Sequence, residues 1–237
     1  MADSQSPNYW IVIPAAGVGK RMGADRPKQY LPLLGKSVIE QTLACFIDHP
    51  RVAGIVVALS RDDGYWPDLT VSSSSRIVRA EGGAERCHSV LNALDALQTK
   101  ADEHDWVLVH DAARPCLTRD DLDKLIEELS SDEVGGILAV PVRDTMKRGD
   151  GTGHIARTEE RNDLWHALTP QMFRFGLLRN ALQRSLADGF VVTDEASAIE
   201  HIRLKPRLVE GRADNIKVTR PEDLALAGYF LEKNRGL

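Results

Sequence analysis

The chain is poor in cysteine, and it lacks the long apolar stretches that anchor proteins in lipid. Its 237 residues include three cysteines, Cys45, Cys87 and Cys116. Their number is odd, their spacing is wide and no Cys-x-x-Cys pair occurs, so neither a disulfide framework nor a structural zinc module is expected. A reducing cytoplasm suits such a chain. No apolar run is long enough to span a bilayer, and residues 1–7 read as a polar leader, not a secretion signal. A surplus of basic residues is missing too: 30 Lys and Arg stand against 35 Asp and Glu, a formal net charge of −5. That balance argues against a general nucleic-acid binder. There is no internal repeat, and no Ser-His-Asp or Cys-His grouping of the kind that marks a protein nucleophile.

What the chain does have is a small-residue loop after an apolar strand. Trp10-Ile11-Val12-Ile13 reads as a buried strand and runs into Pro14-Ala15-Ala16-Gly17-Val18-Gly19-Lys20-Arg21-Met22. Ala and Gly let backbone N–H groups approach phosphate oxygens, and Gly tolerates the dihedrals of such a loop. Four cations, Lys20, Arg21, Arg26 and Lys28, cluster at this strand end in a chain of negative net charge. The combination suits a small anionic ligand such as a nucleoside triphosphate. The dinucleotide fingerprint is not met, because Met22 stands where its third Gly belongs. The P-loop is not met either, because Arg21 follows Lys20 and Pro14 takes the place of the earlier Gly. The plain alternative is a tight turn with a solvated basic face.

Apolar content of 43% is ample for a packed core. Strand-like runs recur at Ile55 to Leu59, Arg76 to Ala80, Trp106 to Val109 and Gly136 to Val140. Between them, Val38 to Phe46, Val90 to Leu97 and Leu122-Leu125-Ile126-Leu129 carry helical spacing, with Thr118 as an N-cap. This alternation predicts an α/β, Rossmann-like, mostly parallel sheet with helices on both faces. Ligands in such sheets sit beyond the carboxyl ends of the strands. From about Arg143 to Asn162 the rhythm breaks into a polar segment that reads as a projecting β-hairpin arm with its tip at Gly149-Asp150-Gly151. Such an arm buries little against its own domain. It is expected to pack on a partner subunit, the alternative being a mobile surface loop. The simplest division is one domain over residues 1–237 with a dimerisation arm at about 142–162. A last helix is expected from a capping box at Thr219-Arg220-Pro221-Glu222.

Further groups of chemistry-bearing residues fall at strand ends. After the third strand comes Glu81-Gly82-Gly83-Ala84-Glu85-Arg86, then Ser89, which alone reads as a strand-to-helix turn. After the fourth comes His110-Asp111-Ala112-Ala113-Arg114-Pro115. An Asp at a strand end beside a triphosphate site is a natural Mg²⁺ ligand, and Arg114 offers a planar fork for a phosphate or carboxylate. A capping role for Asp111 and a surface ion pair for Arg114 are the plain alternatives. His110 reads as a structural hydrogen-bonder. Thr193-Asp194-Glu195 reads as an N-cap with acids in the first turn. Gly211 to Thr219 reads as a strand leading into the last helix.

These runs, spread over about Ile11 to Leu226, closely resemble the signatures of the 2-C-methyl-D-erythritol 4-phosphate cytidylyltransferases. The resemblance implies CTP and methylerythritol phosphate as substrates, Mg²⁺ as cofactor and a cytoplasmic homodimer joined through the arm. It gives nucleotide binding to Ala15, Ala16, Gly17, Gly19, Gly83, Ser89 and Ala112. Catalysis goes to Arg21 and Lys28 at the α-phosphate and to Lys217 near the reacting phosphates, with Asp111 in the metal role. Arg114, Thr145, Arg161, Thr169, Thr193 and Asp214 are implied to bind the acceptor, Thr145 and Arg161 reaching the neighbouring subunit's site. Relatives often carry an acidic residue where Ala84 stands, so base selectivity here would rest on backbone contacts or on Glu85. A ribitol 5-phosphate cytidylyltransferase would share the nucleotide half. A non-catalytic nucleotide-binding protein would not need Arg21, Lys28 and Asp111 together. A nicotinamide dehydrogenase is disfavoured by Met22.

Overall fold

The computed structural model describes residues 7–17, 22–23 and 25–235. In chain order, strand β1 (Tyr9–Pro14) is followed by a two-stranded ribbon, β2 (Pro32–Leu33) with β3 (Lys36–Ser37), and by helix α1 (Val38–Leu43). Then come β4 (Val52–Leu59), β5 (Ile77–Glu81), α2 (Arg86–Leu97), β6 (Trp106–Val109), α3 (Arg119–Leu129) and β7 (Gly135–Pro141). A separate hairpin pairs β8 (Lys147–Gly149) with β9 (Ile155–Thr158). The chain returns through β10 (Trp165–Arg174), α4 (Phe175–Ala187), α5 (Glu195–His201), β11 (Arg207–Glu210) and α6 (Pro221–Asn234).

The main sheet has seven strands in the order β11-β7-β10-β6-β1-β4-β5. Within it β10 alone runs antiparallel, between β6 and β7. Alternating side chains feed two cores. Ile11, Ile13, Ile55, Val57, Trp106 and Leu108 meet α1 and α3 on one face. Val12, Val56, Ala58, Val107 and Val109 meet α2, α4 and α5 on the other. With both faces covered, the strands read as unbroken apolar runs. In α3, Leu122, Leu125, Ile126 and Leu129 are fully buried, and the Thr118 hydroxyl accepts from the Asp121 N–H at 3.2 Å, so that helix starts where its cap predicts. Helix α6 packs through Ala227 and Leu231 against Val38, Ala113, Cys116 and Val218. It thereby braces the segment after β6 and the segment that carries Lys217. Among the described residues, no helix is long and apolar enough to cross a membrane.

Several local expectations are corrected. Strand β10 was hidden in a motif-rich stretch; its register shifts between Ala167 and Gln171, around the cis Thr169–Pro170 bond, which blurs the period-two pattern. The cap of α5 is Asp194, not Thr193: its carboxylate accepts from the Ser197 N–H at 3.0 Å. The cap of α6 is Arg220, one residue beyond Thr219, and the reciprocal acceptor is Asp223, not Glu222. The Asp223 carboxylate takes the N–H groups of Thr219 and Arg220 and the Thr219 hydroxyl at 2.8–2.9 Å. The last strand ends at Glu210, so residues 211–219 are an irregular segment. Helix α2 starts at Arg86, which puts Ser89 inside its first turn.

The hairpin arm matches its expectation in place and differs at its tip. Residues 150–154 form the turn, where Asp150 Oδ1 accepts from the N–H groups of Thr152 and His154 at 2.8 and 3.1 Å. Every residue of β8 and β9 is exposed, Ile155 by 65%.

Candidate active site

The carboxyl ends of β1, β5 and β6 converge on a cavity of about 210 Å³. Its first wall is the small-residue loop Pro14 to Gly17. Buried Gln29 holds that loop in shape: its side-chain amide donates to the carbonyls of Ala15 at 2.7 Å and Gly17 at 3.1 Å. Gln29 lines the same cavity. Lys28 also lines the cavity, and its Nζ donates to the Val218 carbonyl at 2.9 Å.

The second wall is the turn from Gly83 to Arg86, with Ser89 behind it. Its glycines are required by close approach. A Cβ on Gly82 would lie 2.3 Å from the Ala16 Cβ, and one on Gly83 would lie 2.3 Å from the His88 Cβ. The Ser89 hydroxyl accepts from the Gly83 N–H at 3.0 Å and donates to the Glu85 carbonyl at 3.2 Å, pinning the turn to its helix.

The floor carries the charge. Asp111 Oδ1 accepts from Arg86 Nε at 3.0 Å, and Oδ2 lies 2.8 Å from Lys217 Nζ and 3.6 Å from Arg114 Nε. Burial alone would raise the pKa of this carboxyl; Arg86, Lys217 and Arg114 outweigh it and hold the pKa far below the usual carboxylate range. Arg86 is fixed in turn by Glu195, which is fully buried and accepts two hydrogen bonds from the guanidinium at 2.6 and 3.0 Å. Burial works against the Arg86 charge, and Glu195 and Asp111 more than reverse it, so its pKa is raised.

Beneath Asp111 lies a neutral relay. His110 Nε2 lies 3.0 Å from the Arg114 carbonyl, which can only accept, so Nε2 carries the proton. Nδ1 then accepts from the Thr169 hydroxyl at 2.9 Å, and that hydroxyl accepts from the Asp111 N–H at 3.2 Å. The arrangement needs a neutral ring. Complete burial draws the His110 pKa down from 6.5 to about 4. The unfolded chain therefore binds a proton as pH falls below 6.5, while the native ring does not until about 4, and stability falls with pH in that window. The expected loss is about 3 kcal/mol between pH 6.5 and 4. Urea unfolding across this range checks it: His110→Gln should be less stable at neutral pH and show a flatter acid slope, and an unchanged slope would remove His110 as the cause.

Of the residues singled out from sequence, Ala15, Ala16, Gly17, Lys28, Gly83, Ser89, Asp111, Ala112 and Lys217 line this cavity together. Gly19 and Arg21 lie outside the described residues. Arg114 and Thr169 sit behind the wall: Arg114 Nη1 donates to the Asn215 carbonyl at 2.6 Å, and Asn215 Nδ2 donates to the Thr169 carbonyl at 2.8 Å. Asp214 pairs with Arg212. Thr193 precedes the α5 cap, while Thr145 and Arg161 are exposed at the base of the arm, where Arg161 donates to the Arg143 carbonyl. Gln29, Arg86 and Glu195 carried no expected role. Gln29 and Arg86 stood next to motif residues; Glu195 read as an ordinary first-turn acid.

The family described as 2-C-methyl-D-erythritol 4-phosphate cytidylyltransferase matches residues 9–233. The chain belongs to that family. It is 59% identical over 232 residues to the 2-C-methyl-D-erythritol 4-phosphate cytidylyltransferase of Ectopseudomonas mendocina, covering 97% of this chain and 99% of that one. A crystal structure of a 4-diphosphocytidyl-2C-methyl-D-erythritol synthase superposes with a TM-score of 0.84 at 38% identity, covering 96% of this chain and 100% of that one. The Francisella tularensis 2-C-methyl-D-erythritol 4-phosphate cytidylyltransferase gives a TM-score of 0.83 at 38% identity, over 94% and 99% of the two chains.

Proposed function

We propose that this chain transfers the cytidylyl group of CTP to 2-C-methyl-D-erythritol 4-phosphate, releasing pyrophosphate and CDP-methylerythritol, a step of non-mevalonate isoprenoid synthesis. One observation carries the reading beyond family membership: Arg86 and Lys217 pair with Asp111 in a cavity that Lys28 also lines and that the Ala15-Ala16-Gly17 loop edges. The acceptor's phosphate oxygen attacks the α-phosphorus of CTP, and the bond from that phosphorus to the bridging oxygen of the β-phosphate breaks. A phosphate monoester is mostly a dianion at neutral pH, so no general base is needed. The difficulty is that one anion attacks another. A fixed cation about 4 Å from a phosphate offsets this by up to ~4 kcal/mol at an effective dielectric near 20.

Lys28 and Arg21 are assigned to the α-phosphate and Lys217 to the reacting phosphates. Ala16, Gly17 and Gly19 are assigned to the triphosphate through backbone N–H groups, Ala15 lines the pocket beside them with its own N–H donated to the Ala58 carbonyl at 2.8 Å, and Gly83, Ser89 and Ala112 receive the nucleoside. Arg114, Thr145, Arg161, Thr169, Thr193 and Asp214 serve the acceptor, Arg114 and Thr169 by bracing the floor from behind. The cavity floor can take a divalent ion where Lys217 gives way at Asp111 Oδ2: Asp111 stays ionised there, and a single hard carboxylate with phosphate and water oxygens is the donor set Mg²⁺ takes. Asp111 would hold Mg²⁺, which would further neutralise the phosphate oxygens. The cytoplasm is the compartment we assign, in keeping with three free thiols.

The test is pyrophosphate release from CTP and Mg²⁺ with methylerythritol phosphate, and then with ribitol 5-phosphate. Release with the first acceptor alone is expected. Release only with the second would move the assignment to the other acceptor class, and intact CTP with both would end it.

The active form is assigned as a homodimer in which the exposed arm reaches the partner's acceptor site. Thr145→Val and Arg161→Ala are therefore expected to raise the KM for methylerythritol phosphate roughly ten- to a hundredfold, the loss of one hydrogen bond to a charged group. The KM for CTP should stay within about twofold by the same reasoning, and a change confined to CTP would refute the cross-subunit role.

A further inference from the structure

At the edge of the cavity, the start of α2 gathers three metal-ligating side chains of mixed chemistry. One ligand atom each from Glu85, Cys87 and His88 lie within 4.8 Å of one another, and the Cys87 Sγ is 3.9 Å from a Glu85 carboxylate oxygen. In a tetrahedral zinc site with bonds of about 2.0–2.3 Å, ligand atoms sit about 3.3–3.8 Å apart, so closing these three onto one ion takes ~1 Å of side-chain movement.

The helix start explains why they meet. Glu85 is the N-cap residue, in extended backbone, and Cys87 and His88 are the second and third helical residues. The Glu85 side chain makes no capping hydrogen bond, so its carboxylate is left for other work. The His88 Nδ1 is closed off from solvent and has no hydrogen-bond partner among the described residues. A buried ring nitrogen without a partner is costly unless something fills the place. Glu85 is exposed, Cys87 is buried and His88 is half-buried.

We propose that Glu85, Cys87 and His88 form a site for a thiophilic divalent cation of the Zn²⁺ class. A thiolate, an imidazole and a carboxylate together favour Zn²⁺ over Mg²⁺, which separates this site from the oxygen-only chemistry at Asp111. Water takes the fourth position, as in open three-ligand sites. On binding, the Cys87 S–H bond breaks, its electron pair goes to the metal and its proton leaves to solvent, while His88 binds as the neutral ring. The site does not depend on the transferase reading. Its spacing also differs from the Cys-x-x-Cys modules whose absence was noted from sequence.

Cobalt substitution tests it on the full chain, without nucleotide and with excess Mg²⁺ to occupy oxygen-only sites. Titration with Co²⁺ should produce a thiolate-to-cobalt charge-transfer band in the near ultraviolet, saturating at one equivalent and displaced by Zn²⁺. Cys87→Ser should abolish the band and Cys45→Ser should leave it. His88→Gln and Glu85→Gln should each weaken cobalt binding by at least about tenfold, the loss of one ligand of three. If Cys87→Ser does not fold, the exposed-site variant Glu85→Gln decides. No band in the wild-type protein, a band that survives Cys87→Ser, or undiminished affinity in Glu85→Gln would overturn the assignment.

Discussion

Lys28→Ala is expected to lower the turnover number ~10²–10³-fold at saturating CTP, the effect of losing one preorganised charge donor at a reacting phosphate. The lysine lies on the cavity wall, and its Nζ is held by the Val218 carbonyl, one residue from Lys217. That tether fixes the charge before substrate arrives, so no reorganisation is required at the moment of reaction. Lys28→Met, which keeps the apolar stem, should behave like the alanine variant. Steady-state kinetics with methylerythritol phosphate in excess is the measurement, with a thermal melt to confirm that the variants fold. A turnover number equal to the wild type's would take Lys28 out of the mechanism.

The second large effect is on stability. Glu195 is fully buried, and its carboxylate is spent on the Arg86 guanidinium through two hydrogen bonds. Among the described residues, Glu195→Gln leaves Arg86 with Asp111 as its one carboxylate partner, and removing one member of a buried pair costs about 3–5 kcal/mol. Replacing both members by apolar residues of similar size should restore much of that loss, because the desolvated charges leave together. The double variant Glu195→Leu with Arg86→Met should thus be more stable than Glu195→Gln and still be inactive, since Arg86 lines the cavity and holds Asp111. Denaturant unfolding and the pyrophosphate assay separate the two consequences. A Glu195→Gln loss below about 1 kcal/mol would mean that the pair is not the brace described.

Much of the site was legible because its parts are local. The loop after β1, the double glycine after β5 and the Asp after β6 each follow an apolar run directly, and the carboxyl ends of parallel strands share one edge of the sheet. The spacing in α3 and its Thr118 cap were equally local. The less legible elements have specific causes. Strand β10 carries Thr169-Pro170 and a register shift inside it, so its alternation is broken where a pattern search would look. The caps of α5 and α6 moved by one residue because Asp194 and Asp223 reach backbone N–H groups better than the neighbouring candidates do.

Hydrophobic periodicity and small-residue loops were enough to specify an α/β sheet, a cation-rich loop at one strand end and a polar arm, since each depends only on residues a few positions apart. The pairing of Arg86 with Glu195, the convergence of three cations on Asp111 and the neutral state of His110 belong to the folded chain alone. Those contacts join residues up to 109 positions apart. They arise from the order in which strands lie side by side, and their energies come from burial that exists only once both layers of helices have closed over the sheet.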